Sequence, residues 1–338
     1  MYKAKKQAQR AYIGSTGDKL RTNLPEVSYT HGNVNTMKSQ NGRQQNHANP
    51  DRHASLPATK AGNTSAMPLF VAEASRGWIS LRLGDLWEYR ELSYFLVWRD
   101  LKVRYKQTTL GIIWVILQPL SIMALFTVIF GYLGQLPSDG VPYPVFTYVA
   151  LLPWQLFASA MVASSNGLVA NQELLKKIYF PRLLIPLSAA IVGLVDFAIS
   201  FLILLGLMFY FGFLPTISII ALPLFILLAM LTALAVGLWF SALNVQYRDV
   251  QIAIPFLTQF WFFATPIAYA SSLIPVAWRP WYAINPMVGV VEGFRWSLLQ
   301  QAAPLGSSIL ISTLVTFTLL VSGLIYFRRM ESTFADIV

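Results

Sequence analysis

Catalysis needs acids, bases, nucleophiles or metal ligands that converge, and this 338-residue chain offers few. Its three histidines, His31, His47 and His53, lie in a polar N-terminal stretch, and it contains no cysteine, so neither a disulfide nor a thiolate metal site can form. Within the long apolar runs Asp196 is the sole ionisable side chain apart from tyrosine. One isolated carboxylate supports neither a hydrolase nor a transferase. Two readings of Asp196 stand: a polar point on a translocation path, or a hydrogen bond to a neighbouring helix that fixes packing. No G-x-x-x-x-G-K-[ST] loop occurs, so the chain cannot cradle ATP phosphates in that way, and any ATP would be hydrolysed by another subunit.

The elements that position these residues are set by composition. The chain is 55% hydrophobic and 14% aromatic, against about 45–50% apolar in an ordinary soluble domain. Its mean hydropathy is +0.53 and only 12% of residues are charged. A polytopic, all-α membrane protein is expected. The net charge of +10 resides in ends and loops, a distribution that orients a protein in a membrane and argues against nucleic acid as partner.

Residues 1–72 are polar and aperiodic and read as a disordered cytoplasmic tail, without the apolar core of a signal peptide. The tail is either a tether for a cytoplasmic partner or a dispensable extension. Residues 73–109 form an amphipathic interfacial segment. Tyr94, Trp98, Leu101 and Tyr105 share one helical face, with Arg99, Lys102 and Lys106 about a quarter-turn away; Arg104 belongs to the same interfacial helix. Phe95, Leu96 and Val103 fall outside that stripe, so protein is expected to cover a second side.

Residues 110–327 hold six expected transmembrane helices at about 110–133, 144–165, 183–211, 217–243, 251–270 and 305–327. Gln118-Pro119 interrupts the first, and the carbonyl that Pro119 frees needs a donor from a neighbouring helix. Lys and Arg fall almost entirely on one side of these spans, which predicts both termini, including residues 328–338, in the cytoplasm. The segment between the fifth and sixth spans is too apolar for a solvated loop. Asn285-Pro286 divides it into two re-entrant half-helices, about 272–284 and 286–302, a candidate outer gate. Glu292 and Arg295, at i and i+3, either pair within that gate or form a weak interfacial surface pair.

Two basic-side loops mix charge with aromatics, as docking surfaces do: one with Glu173, Lys176, Lys177, Tyr179, Phe180 and Arg182, the other with Tyr247, Arg248 and Asp249. The bland alternative is a pair of ordinary positively charged loops. Trp154, Phe157, Trp261, Phe262, Phe263 and Tyr269, in the outer halves or ends of the second and fifth spans, are candidates to line a translocation path; the alternative is the aromatic belt of any membrane protein.

From Trp98-Arg99-Asp100-Leu101-Lys102-Val103-Arg104-Tyr105-Lys106-Gln107 through Gly111, Trp114, Gln118-Pro119, Tyr179-Phe180-Pro181-Arg182, Asn244-Val245-Gln246-Tyr247-Arg248-Asp249-Val250 and Asn285-Pro286-Met287, the chain resembles the permease subunits of ABC-2 type polysaccharide exporters. The resemblance runs from about Leu86 to the C-terminus. It implies a homodimer in the bacterial inner membrane with two cytoplasmic ATP-binding cassette subunits, which use ATP and Mg while this chain binds no cofactor. The implied substrate is a lipid-linked polysaccharide such as O-antigen, capsule or a teichoic-acid-like polymer. It also implies that Asn171 to Arg182 is the main coupling element and Asn244 to Val250 a lesser one. An ABC-2 exporter of a drug or small lipid, and a membrane-bound glycosyl- or acyltransferase, are the competing expectations.

Overall fold

The structure, a computed structural model, describes residues 83–106, 111–178, 180–214, 216–247, 249–299 and 307–337. The expected tail of residues 1–72 lies outside them, as do Tyr179 and Arg248. The described residues are nearly all helical and contain no strand. In chain order the helices are α1 Leu83–Glu88, α2 Arg90–Lys106, α3 Gly111–Phe126, α4 Tyr143–Ala170, α5 Gln172–Lys177, α6 Leu184–Tyr210, α7 Leu222–Gln246, α8 Asp249–Phe263, α9 Arg279–Tyr282, α10 Pro286–Leu299 and α11 Ser307–Ile337.

Among the described residues five helical stretches are long and apolar enough to cross a bilayer: Ile113–Leu133, Tyr143–Ala170, Leu184–Tyr210, Ile217–Gln246 and Ser307–Glu331. The expected fifth span is shorter than its apolar run. Helix α8 has 15 residues, about 22 Å at 1.5 Å per residue. It stops at Phe263 because Pro266 lacks a donor N–H and biases Thr265 away from helical geometry. The chain then continues as bends to residue 269. The first half-helix is likewise fragmented. Pro275 and Pro280 divide it into 3-10 turns, Ser271–Leu273 and Val276–Trp278, followed by the single turn of α9. The second half-helix is α10, starting at Pro286 as its fixed φ favours.

Helix α4 is the centre. It is buried along most of its length between α6 and α7, while α11 packs on the far side of α7. Between membrane helices close approach depends on small residues, and α10 has Gly289 and Gly293 four apart. A Cβ on Gly293 would lie 2.1 Å from Phe225 Cε1, and one on Gly289 would lie 2.6 Å from Ser312 Cβ. These contacts draw α10 tightly against α7 and α11. Polar links complete the bundle. Thr232 and Thr316 hydroxyls meet at 3.0 Å between α7 and α11, and Ser164 Oγ donates to Pro186 O at 2.8 Å between α4 and α6. The Val115 carbonyl freed by Pro119 accepts from Ser200 Oγ of α6 at 3.5 Å. Helix α3 continues as a π-helix, Thr127–Leu133, in which Gly134 N–H reaches Ile129 O at 2.8 Å.

Candidate functional site

The basic end of the bundle is organised around α5. This six-residue helix leaves α4 at Asn171 and ends in an extended turn toward Pro181. Glu173, Lys176 and Lys177 are exposed, and the Glu173–Lys177 ion pair, at 3.7 Å on an open surface, adds little stability. Phe180, expected on a docking surface, is instead buried, in a cluster with Leu168, Leu183, Leu184, Leu238, Val245, Phe327 and Phe334. Arg182 is bonded to Glu331 near the end of α11. The second loop keeps Tyr247 and Asp249 exposed, while Asn244 is buried and donates to Ser165 O at 3.1 Å and Asn166 Oδ1 at 3.0 Å.

Helix α2 lies against α6. Of the three residues outside the apolar stripe, Leu96 is 1% exposed and covered by protein, whereas Phe95 and Val103 face outward, as do Trp98 and Lys102. Arg99 donates to Asp100 Oδ1 and, from Nη2, to Asn171 Oδ1 at 2.7 Å, which ties α2 to the start of α5. Further along, Arg104 Nη2 reaches Asp196 Oδ2 at 2.6 Å and the Tyr105 hydroxyl donates to Asp196 Oδ1. Both oxygens of Asp196 are therefore engaged by α2. Burial, and then the hydrogen bond to Asp196, hold the Tyr105 phenol well above its usual pKa, so it remains a donor. Lys106 is exposed at the end of the helix.

The opposite end is held by Asn285. Its Oδ1 accepts from Trp261 Nε1 at 2.8 Å and from Met287 N at 3.0 Å, and its Nδ2 donates to Ala264 O and Thr265 Oγ1, each at 3.1 Å. One side chain thus caps α10, beginning at Pro286, and satisfies the broken end of α8. Glu292 and Arg295 are 7% and 3% exposed, so they are interior residues rather than a surface pair. The ion pairs among the described residues do not include one between them. Arg295 places its guanidinium 3.7 Å from the Phe146 ring centroid and donates to Ile267 O at 3.1 Å and Tyr269 O at 3.4 Å, pinning the segment after α8.

Most of the aromatics expected to line a path pack on one another. Trp154 and Phe157 are buried on α4, their rings 5.3 Å apart; Trp154 meets Phe262 at 5.6 Å and Phe157 meets Trp261 at 5.0 Å. The Tyr269 and Tyr282 hydroxyls share a hydrogen bond of 2.7 Å. Phe263 alone of the six is fully on the surface, 60% exposed. It joins Pro255, Phe256, Gln259 and Phe260 around an open concavity of about 420 Å3 on α8. Phe256 and Phe260 went unnoticed in the sequence, although 256, 260 and 263 have the i, i+4, i+7 spacing of one helical face. Asn171 and Glu331 also escaped notice as partners, because each binds a residue distant in the chain.

Residues 91–299 match the family described as ABC-2 type transporter. The chain belongs to the ABC-2 type transporter family. It is accordingly a multi-pass membrane protein, its apolar helices being the membrane part of such a transporter. This ABC-2 chain is 29% identical over 255 residues to the O-antigen export system permease protein RfbA of Myxococcus xanthus, covering 75% of this chain and 97% of that one. It is 31% identical over 243 residues to the protein of that name from Klebsiella pneumoniae, covering 71% and 92%. With the polysialic acid transport protein KpsM of Escherichia coli it shares 25% identity over 234 residues, covering 69% and 91%. The match spans α2 through α10, which contain Asn171, Asp196, Asn285 and Arg295; α11 and its Glu331 lie beyond it. Among the described residues no group of three or more His, Cys, Asp and Glu is placed to hold a metal ion.

Proposed function

We propose that this chain is the membrane-spanning permease subunit of an ATP-driven exporter that moves a lipid-linked cell-surface polysaccharide across the bacterial inner membrane. It works as a homodimer with two cytoplasmic ATP-binding cassette subunits, which bind ATP and Mg. The single observation that carries the reading is likeness over more than nine-tenths of the length of relatives named for O-antigen export and polysialic acid transport. The scarcity of convergent acids and bases supports a transport role over a glycosyl- or acyltransferase.

Six crossings, the fifth made by α8 with its irregular extension, put both termini in the cytoplasm and the basic end inward. Helix α5, presenting Glu173, Lys176 and Lys177, is the main surface for the ATPase, and Tyr247, Arg248 and Asp249 form a lesser one. Helix α2 lies at the headgroup layer, as its Arg99, Lys102, Arg104 and Lys106 require, and its bonds to Asp196 bring that carboxylate to the same level. Asp196 then serves helix packing rather than the path. At the outer end Asn285, Pro286, Glu292 and Arg295 form the gate, holding the segment that follows α8. Phe263, with Phe256 and Phe260, gives the polymer an aromatic surface over which sugar rings slide, backed by Trp154, Phe157, Trp261 and Phe262; Tyr269 steadies the gate through Tyr282.

The test is co-purification with the ATPase encoded nearby, then ATP hydrolysis in lipid nanodiscs with and without the host's lipid-linked polymer. A stable complex stimulated by polymer-lipid, and disrupted by Lys176→Glu with Lys177→Glu, is the expected result. An ATPase stimulated by small amphiphiles and indifferent to polymer would point to the drug or lipid exporter. No ATPase partner under any condition would end both readings.

A further inference from the structure

Helix α11 continues well past the apolar span that it supplies, to Ile337, and its last turns grip the exit of α5. Phe327, Glu331 and Phe334 are at i, i+4 and i+7, so they share one helical face. Phe327 and Phe334 pack edge to face at 5.4 Å, and Phe334 is 2% exposed. Against that face lies the turn that leads from α5 to α6. Phe180 is buried in the same cluster, the Arg182 guanidinium lies 5.9 Å from the Phe334 ring centroid, and it donates to the Glu331 backbone carbonyl. The Arg182 backbone N–H donates to Glu331 Oε1 at 3.4 Å, while Arg328 Nη1 holds Oε2 at 2.9 Å and fixes the carboxylate.

We propose that Glu331 and Phe334 are positioning residues for energy coupling: they fasten the exit of α5 to the end of α11, so that a displacement of α5 is passed to the last span. The proposal rests on the reading of α5 as the ATPase docking element. A charge-assisted bond to a backbone carbonyl keeps its register as the loop moves, and a close-packed cluster transmits displacement instead of absorbing it. The entrance of α5 is tied to α2 through Asn171 and Arg99, so the short helix is held at both ends.

The test uses the whole complex, permease with its ATPase subunits in nanodiscs, beside polymer export in cells at matched protein level. Glu331→Ala and Phe334→Ala are expected to leave complex assembly and basal ATP hydrolysis near wild type, while export per ATP falls at least about fivefold, the lower end of ordinary coupling between sites. Phe334→Leu, which keeps most of the packed volume, should recover most of that loss. Unchanged export per ATP in both alanine variants would overturn the proposal, as would a fall in export matched by an equal fall in hydrolysis. If Phe334→Ala lowers the yield of folded protein, Arg182→Lys decides, since it keeps the charge but loses the guanidinium fork; unchanged export per ATP would then overturn it. A wild-type complex that fails to assemble or to export would sink the exporter reading itself, a result distinct from wild-type export with variants of normal coupling.

Discussion

Arg99 and Asn171, 72 residues apart in the chain, are joined by a 2.7 Å hydrogen bond from the guanidinium to the side-chain amide oxygen. The same Asn171 donates from Nδ2 to Gly167 O at 2.8 Å, so its orientation is set by α4 before it meets α2. Removing either partner separates α2 from α5. Asn171→Ala and Arg99→Ala should each lower export several-fold with modest loss of stability, about 1 kcal/mol for one bond of this type, and the double variant should be no worse than the poorer single one. Export assays at matched protein level, run as a double-variant cycle, check it; strict additivity would show that the two act apart.

Asp196 distinguishes packing from passage. If its work is to hold Arg104 and Tyr105, then Arg104→Ala should reproduce most of the effect of Asp196→Ala on thermal unfolding in detergent. Arg104 is partly exposed, which limits the ion pair to about 1 kcal/mol or less after solvent screening. Asp196→Asn, which keeps an acceptor for Tyr105, should be milder than Asp196→Ala. Loss of export in Asp196→Ala with full stability and a silent Arg104→Ala would return Asp196 to the path.

Gly293 has no room to grow. A methyl group there meets the Phe225 ring far inside contact distance, so Gly293→Ala should destabilise by about 1–3 kcal/mol or displace α10 from α7. Shortening the obstacle in Gly293→Ala with Phe225→Leu should restore part of the loss. Thermal unfolding of the single and double variants measures both; a fully tolerated Gly293→Ala would contradict the close packing.

The aromatics separate by burial. Trp154→Ala opens a hole among Phe157, Phe262 and their neighbours and should cost about 3–5 kcal/mol, with export falling because less folded protein remains. Phe263→Ala, and Phe260→Ala on the same face, should leave folding near wild type and lower export at equal protein level. Normal export from the Phe260 and Phe263 variants together would remove the α8 face from the path.

Much of the architecture follows from the sequence alone, because hydropathy and helix length act locally. A run of uncharged residues beyond about 18 spans or is buried wherever it lies, and a proline ends or bends a helix by its own geometry. Membrane character, the long apolar helices, the break at Asn285-Pro286 and the family resemblance were all legible in the sequence. Which way a side chain points depends on what packs against its helix, and that lay with the tertiary structure. Phe180 resembles Tyr179 in sequence, yet it is buried because Phe327 and Phe334 arrive from the other end of the chain. Asp196 reads as a lone charge until α2 folds back 91 residues in sequence to meet it. Glu331 sits in a stretch that reads as a polar tail, and only the fold brings Arg182 to it across 149 residues. A single chain read in order reports the cost of burying a charge but not the partner that offsets it, since the partner's distance in space is not encoded in its distance along the sequence.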